Sequence, residues 1–409
     1  MIAIAVLGHG VVGSGVAELL EKNRENISRK VGEEIVVKKI LVRREFPGAR
    51  YQEKFTKSFE DILSDPEIKV VAEVMGGLSP AYEYVSAALK AGKSVVTSNK
   101  ELVAAKGPEL LELAKKTNRS FLFEASVGGG IPIIRPLHQC LAANDISEIV
   151  GILNGTTNFI LTKMIREQMP FADALKMAQD LGYAEKDPTA DVEGLDAGRK
   201  ICILASLAFG QHVYPESVRT EGITKITQED VAYGEGIGRV VKLLGQTRKV
   251  NGKCITVVAP ALISRDNPLA SVEDVFNGIL VRGNAAGDVF FIGRGAGKLP
   301  TASAVVGDVI DCVKADKTST TLRWAASDGG NAGDWMAEPA IRYIRCKDAA
   351  IAEIPKIFEG ASPLFRKNMP AGEFAFLTSA MTGYELEKKL SALKDQGITI
   401  LGNIQVWEP

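Results

Sequence analysis

The sequence predicts an α/β protein in three parts. A parallel-sheet domain covers 1–145, an α+β domain covers 146–325, and a small α+β unit covers 336–409. Three observations carry this division. A short apolar strand, AIAVL (3–7), runs straight into GHGVVG (8–13) and a helix. Strands and helical segments then alternate through the first third of the chain, which is the rhythm of a parallel sheet. The pattern changes at Ile146, and changes again after the turn-rich SDGGNAGD (327–334), which reads as a linker.

At 409 residues the chain is long for one core. Its 46% hydrophobic and 24% charged content is that of a globular protein, and its net charge of −1 offers nothing to nucleic acid or an anionic membrane. Five cysteines lie far apart with no C-x-x-C pair, so neither a disulfide framework nor a cysteine zinc site is expected. No basic leader precedes the first strand, and no apolar run reaches membrane-spanning length. The expectation is a cytoplasmic enzyme.

The first strand is all apolar because a parallel strand is buried on both faces. Gly8, Gly10 and Gly13 follow in G-x-G-x-x-G spacing, and Val12, Val16, Leu19 and Leu20 mark the next helix. Strand, glycines and helix together predict dinucleotide binding. Gly8 permits the turn, Gly10 the close approach of pyrophosphate, and Gly13 helix–strand packing; Val11 and Val12 open the helix N-terminus. The second strand, IVVKKILV, ends before Arg43 and Arg44, where an NAD site usually has an acid. Paired guanidiniums suit a 2′-phosphate, so NADP(H) is preferred and NAD(H) is the alternative; two solvated surface arginines are the plainer reading.

IKVVAEVMGG predicts a strand ending at Gly76-Gly77, where a nicotinamide ring can lie against bare backbone. A helix over 80–91 leads to SVVTSNK, whose Thr97, Ser98, Asn99 and Lys100 stand where parallel sheets hold ligands. Lys100 is either a site residue or a helix-start surface lysine. SFLFEASVGGGIP supplies a further strand with Glu124 at its tip.

In the second part, ISEIVGILNGTTNFIL predicts a strand, a turn at Gly155-Thr156-Thr157 and a helix capped by Thr or Asn. Helices over 171–181 and 195–209 flank an acidic turn, and strand-rich sequence covers about 253–293. The turn is the most informative stretch. Glu185, Asp187, Asp191, Glu193 and Asp196 crowd into 185–196, punctuated by Gly182, Pro188 and Gly194. Asp196 and Lys200 are spaced i,i+4, so they share a helix face, and each can tune the other's pKa. An i,i+4 acid–base pair is usually an ordinary surface pair. Here ICILASLAF follows, so the helix is buried, where an idle ion pair is costly.

A glycine turn, GRGAG, then precedes an apolar helix near 300–315, expected to return to the first domain. Past the linker, AIRYIRC, a helix over 350–359, EFAFLTSA, a helix over 383–395 and ITILGNIQVWE form a βαββαβ-like unit lacking one clear strand. It reads as a regulatory module or a dimerisation appendage.

These residues resemble the homoserine dehydrogenase family over residues 1 to about 315. Ala178, Gly182-Tyr183-Ala184, Asp187-Pro188, Asp191, Gly194, Asp196 and Lys200 match its signature, and GHGVVGSGV, SNKELVA, EASVGGGIP, NGTTNFIL and GAG-x-x-x-TA (with Gly297) match other landmarks. The resemblance implies a Rossmann-type cofactor domain and a second domain for substrate and dimerisation. The implied reaction interconverts aspartate 4-semialdehyde and L-homoserine, on the route to threonine and methionine. It makes Lys200 the proton donor, counts Lys100, beside nicotinamide and substrate, and Asp196 as catalytic with it, and gathers Glu185, Gly182, Asp191 and Thr156 around the substrate. Gly76, Ser98 and Gly297 join the cofactor residues. Glu124 and the carbonyls of Val127, Gly129 and Ile131 resemble the family's monovalent cation site, for Na+ or K+. A homodimer or homotetramer is implied. The C-terminal unit resembles an ACT domain, with threonine as candidate effector, but Ala-Ala-Ile after Asp348 departs from the family turn and SPLFRKNMPAG appears in place of a strand.

Aldehyde reduction needs a proton donor for the developing alkoxide. His9 sits in the nucleotide loop, and His138 and His212 lie in helix or helix-end contexts with no paired acid nearby, which leaves lysine. A non-catalytic NADP-binding regulator would have no use for Lys100, Glu185, Asp196 and Lys200 together. An acyl-enzyme dehydrogenase needs a cysteine nucleophile with a base, and Cys140 and Cys202 have apolar helix neighbours instead.

Overall fold

The computed structural model describes residues 1–315, 322–348 and 354–408. The chain divides into two compact units. One is Met1–Ser147, Arg199–Ser217 and Arg282–Asn331; the other is Glu148–Gly198, Val218–Val281 and Ala332–Pro409.

The first unit is built on six strands, β1 (Ile2–Leu7), β2 (Ile35–Leu41), β3 (Phe55–Thr56), β4 (Ile68–Glu73), β5 (Ser94–Thr97) and β6 (Phe121–Leu122). They run parallel in the order β3-β2-β1-β4-β5-β6. This is the Rossmann order, and strand order reverses between β1 and β4, where such sheets bind ligands. Helices α1 (Val11–Lys22), α2 (Arg24–Val31), α3 (Glu60–Leu63), α4 (Ala81–Lys90) and α5 (Lys100–Thr117) connect the strands. Val16, Ala17 and Leu20 give α1 its buried face.

Four helices follow in sequence before the long strands: α6 (Gly155–Arg166), α7 (Phe171–Asp180), α8 (Thr189–Val192) and α9 (Leu195–Phe209). The division between units falls within α9, after Gly198. The remaining helices are α10 (Gln228–Gly236), α11 (Lys298–Lys314), α12 (Ile354–Ile357) and α13 (Gly383–Asp395). Within the first unit α11 packs on α1. A Cβ on Gly15 would stand 2.7 Å from the Lys298 carbonyl oxygen, so the approach requires glycine there. Lys298 Nζ then reaches Glu18 at 2.6 Å.

The second unit holds a mixed sheet in the order β11-β7-β9-β10-β16-β13-β15-β14, with β8 (Arg219–Thr220) beside β10. Its strands are β7 (Ile146–Ile152), β9 (Arg239–Val250), β10 (Lys253–Ser264), β11 (Phe276–Gly283), β13 (Ile341–Lys347), β14 (Ser362–Leu364), β15 (Glu373–Leu377) and β16 (Thr399–Val406); β12 (Gly287–Arg294) belongs to the first unit. The long β9–β10 hairpin turns on Asn251 and Gly252 at φ 50° and 78°, the positive values that a two-residue primed turn demands.

The C-terminal segment, expected as a small unit over 336–409, has a hydrophobic core of its own that includes Ile344, Phe358, Phe376 and Leu393. It belongs to the second unit, and its β16 extends the main sheet by pairing parallel with β10. That pairing satisfies backbone groups that β10 would otherwise leave at an open edge. The strand expected to be missing is also present: β14 pairs with β15, completing βαββαβ with order β16-β13-β15-β14. Of the helix expected over 350–359, Ile354–Ile357 is helical, whereas residues 350–353 and the Ala-Ala-Ile turn lie outside the described residues.

A buried charged cluster fastens α10 to this segment. Asp230, 1% exposed, accepts from Arg345 Nε at 2.9 Å and from the Tyr343 hydroxyl at 3.0 Å. It also closes the capping box of α10 with Thr227. Glu373 takes Arg345 at 3.3 Å and Arg366 at 2.8 Å.

A second buried charge, Lys242 on β9, donates to Val272 O at 2.5 Å and Asn158 Oδ1 at 3.2 Å. Burial pulls its ammonium down to about 8, opposed by Glu273 and Asp274 and reinforced by Arg166. The unfolded lysine keeps its proton to about pH 10. Between these values the unfolded state binds more protons, so this residue's contribution to stability rises with pH. The stability difference between the parent and Lys242→Met should therefore shift in the parent's favour across that window in urea unfolding. A difference independent of pH would contradict the argument.

Candidate active site

The nucleotide cleft is made by the C-terminal ends of β1, β2 and β4 in the first unit. Gly8 has φ +108°, and a Cβ on Gly13 would fall 2.0 Å from the Gly8 carbonyl oxygen, so the turn is closed to other residues. Gly10 caps α1 without a side chain, which leaves the first-turn N–H groups, beginning at Val11 and Val12, for an anion. A cavity of about 560 Å³ is lined by Gly8, His9, Gly10, Arg43, Arg44 and Gly76. Both arginines are exposed, and neither makes an ion pair among the described residues. Arg44 lies over the Phe46 ring at 5.1 Å. Glu45, the nearest acid after β2, is held by Lys57. Burial, with Lys298 in support, lowers the pKa of His9, whose ring packs against Phe46 and Phe55.

Glu73 was not singled out from the sequence, yet it organises the next loop. It is fully buried at the end of β4, and burial raises its pKa against the pull of its hydrogen bonds. It accepts from the backbone of Met75 at 2.8 Å and Gly76 at 3.4 Å, and from Thr97 Oγ1 at 2.6 Å. Asn99 donates to Gly77 O at 2.7 Å and caps α5 by accepting from Leu102 N. Gly76 and Gly77 take φ 78° and 74° in this loop. Ser98 N donates to Glu73 O at 3.2 Å, and half-buried Lys100 begins α5. A carboxylate directly after the apolar run 70–72 was the available signal.

The loop after β6 tests the cation expectation. The Glu124 side chain is committed elsewhere: it accepts from Ile133, Ile134 and Arg135 N–H at 2.6, 2.9 and 2.8 Å. Its own N–H donates to Asp308 at 2.8 Å. Three convergent N–H dipoles occupy the carboxylate, so it shapes the loop. By contrast, the buried carbonyls of Val127, Gly129 and Ile131 accept no hydrogen bond among the described residues. Neutral oxygen donors of this kind fit a hard monovalent cation. Gly129, at φ +53°, is pressed against Gly295, two residues before the α11 cap Gly297. Asp308 is buried, and burial first, then Glu124, pushes its carboxyl well above the usual range.

In the second unit the acidic turn converges on one amide. Asn154 caps α6 by accepting from Thr157 N, and its Nδ2 donates to Asp191 at 2.7 Å and Asp196 at 2.9 Å. The structure thus brings Asp191 and Asp196 together through Asn154, which the sequence suggested only as a helix cap. Thr156 ties α6 to the turn by donating to Tyr183 O at 2.7 Å. Gly182, at φ +74°, and Glu185 are exposed, and the Glu185 carboxylate makes no hydrogen bond to this cluster among the described residues. Asp196 and Lys200 lie one turn apart on α9 and are 5% and 8% exposed. Two gathered carboxylates can receive an ammonium group, and a nearly buried lysine can supply a proton.

Comparison with known proteins gives the family. A family model described as "Homoserine dehydrogenase, NAD binding domain" matches residues 8–124, and one described as "Homoserine dehydrogenase" matches 132–310. The homoserine dehydrogenase of Bacillus subtilis is 44% identical over 318 residues, covering 76% of this chain and 73% of its own. That of Synechocystis is 47% identical over 321 residues, covering 76% and 73%. The crystal structure of a homoserine dehydrogenase from Thiobacillus denitrificans has TM-score 0.88 and 35% identity, covering 100% of this chain and 98% of that one. A hyperthermophilic archaeal homoserine dehydrogenase mutant in complex with NADPH has TM-score 0.65 and 32% identity, covering 76% and 97%. This chain belongs to the homoserine dehydrogenase family of oxidoreductases acting on a CH–OH group.

Proposed function

We propose that the chain interconverts L-aspartate 4-semialdehyde and L-homoserine, prefers NADP(H) to NAD(H), and uses Lys200 as proton donor. The observation that carries this is the Asn154 amide holding Asp191 and Asp196, with Lys200 one turn beyond Asp196 on α9. Bound reduced nicotinamide supplies the hydride that forms the new C–H bond. As that bond forms, the carbonyl oxygen gains electrons, and the Lys200 ammonium gives it a proton. Asp191 and Asp196, with Glu185 from the exposed turn, take the substrate ammonium; Thr156 and Gly182 hold the turn. Lys100 stands at the start of α5 beside the nicotinamide loop. The carbonyls of Val127, Gly129 and Ile131 hold Na+ or K+.

The βαββαβ order of the C-terminal segment supports an ACT-like reading, with threonine as effector. A homodimer or homotetramer in threonine and methionine biosynthesis completes the proposal. The reaction is tested by product analysis after incubation with NADPH and aspartate 4-semialdehyde. One homoserine per NADPH oxidised is expected; aspartate 4-semialdehyde recovered unreduced would overturn it.

Two exposed guanidiniums at the mouth of the cleft, with Glu45 engaged by Lys57, support the cofactor preference. Arg43→Ala is expected to weaken NADPH by roughly 1.5–3 kcal/mol and spare NADH. Equal loss for both cofactors, measured by fluorescence titration, would refute the 2′-phosphate argument.

A further inference from the structure

In the first unit, the side chains that hold the loop after β4 and those that start α5 form one closed ring of hydrogen bonds. Glu73 Oε1 accepts from Met75 and Gly76 N–H, and its Oε2 accepts from the Thr97 hydroxyl. Thr97 Oγ1 in turn accepts from Asn99 N–H at 2.9 Å. Asn99 closes the ring: its Nδ2 donates to Gly77 O, and its Oδ1 accepts from Leu102 N–H at 3.1 Å in the first turn of α5. Glu73 and Thr97 are register partners on the parallel strands β4 and β5, so the ring bridges both strand ends. Met75 and Gly76 line the nucleotide cleft, whereas Glu73, Thr97 and Asn99 are buried and do not.

A cap for the loop alone would not need this arrangement. Accepting from an N–H two residues on is what the shorter Asp or Asn side chain does at a turn. A fully buried carboxylate is costly unless hydrogen bonds offset its lost hydration. Here the length of glutamate carries Oε2 across to the neighbouring strand. A buried polar network with every link made is rigid, so the peptide groups of 75–77 and the turn that carries Lys100 cannot shift independently. We infer that Glu73, Thr97 and Asn99 are positioning residues for hydride transfer, holding the backbone under the nicotinamide in one frame with Lys100. This rests on the reaction and the nicotinamide placement proposed above. It concerns the nicotinamide half of the cofactor, since the glycine turn after β1 and the arginines after β2 belong to other elements.

Thr97→Val removes the hydroxyl and keeps the shape, and Thr97→Ser restores the hydroxyl. Glu73→Gln keeps an acceptor for Met75 and Gly76 N–H but turns the arm toward Thr97 into a donor, so it cuts the same link even if the valine variant does not fold. The full chain is followed by the fluorescence anisotropy of bound NADPH, by affinity for adenosine 2′,5′-bisphosphate, which lacks nicotinamide, and by kcat and KM with aspartate 4-semialdehyde. Thr97→Val is expected to lower the nicotinamide anisotropy and to cut kcat at least about tenfold, as misplaced reacting groups do, with bisphosphate affinity unchanged. Glu73→Gln should show the same split to a smaller degree, and Thr97→Ser should recover most of both signals. Neither binding measurement needs turnover. A parent protein that leaves the semialdehyde unreduced would therefore defeat the proposed reaction, while anisotropy still decides the positioning. Parent-like anisotropy in both Thr97→Val and Glu73→Gln, an unchanged kcat in both, or equal weakening of NADPH and the bisphosphate would overturn the assignment.

Discussion

Lys200→Ala is expected to lower turnover by a factor on the order of 10²–10⁴, the usual contribution of a positioned general acid. Cofactor affinity should hardly change, because the nucleotide cleft is formed by the β1, β2 and β4 ends and contains none of α9. Lys200 is 8% exposed on a helix whose next turns, Ile201 to Ala205, are almost wholly buried. Lys200→Arg separates charge from proton transfer. The guanidinium keeps the positive charge but does not release a proton, so turnover should stay low. Steady-state rates with each cofactor make the check. Near-normal turnover in the alanine variant would remove lysine from the proton step.

Asp230→Ala is expected to produce the largest loss of stability, about 3–5 kcal/mol, the cost of breaking a buried ion pair. The carboxylate is 1% exposed and serves Arg345, Tyr343 and the α10 capping box together. Removal leaves the Arg345 guanidinium, itself 5% exposed, with Glu373 and Thr227 as its remaining partners. The space is also tight, since a Cβ on Gly402 would meet Asp230 Oδ1 at 2.6 Å. Urea unfolding followed by emission from Trp335 and Trp407 reports on this unit. An unchanged midpoint would show that the cluster is not what fastens the C-terminal segment.

Much of this architecture was legible because burial follows period. The segments 171–180 and 195–209 show apolar spacing that fits only a helix, and both are helices. Strand β9 was not legible in the same way. Its 12 residues carry Lys242 and Gln246 into the core, and buried polar side chains break the alternation that marks a strand. The Asn251-Gly252 pair was nevertheless a hairpin signal. The three-residue β14 was too short to show any period. Nor does sequence spacing reveal that β16 continues the β10 sheet, because that pairing is between distant segments.

The candidate site divides along similar lines. Glycines forced by geometry, such as Gly8 and Gly13, announce themselves, since a side chain has no room or no allowed backbone there. Asp191, Asp196 and Lys200 stood out through crowding and helix spacing. Glu73 and Asn154 did not, because each acts by holding backbone or other side chains. Glu124 was expected at a cation site through the family resemblance alone; the three N–H groups its carboxylate accepts from make it the anchor of that loop.

The most direct test is to follow reduced-nicotinamide absorbance with purified protein and aspartate 4-semialdehyde, comparing NADPH with NADH. Oxidation of both, faster with NADPH, is the predicted result. No oxidation with either cofactor, despite measurable NADPH binding, would contradict the proposed reaction and leave a nucleotide-binding protein without this chemistry.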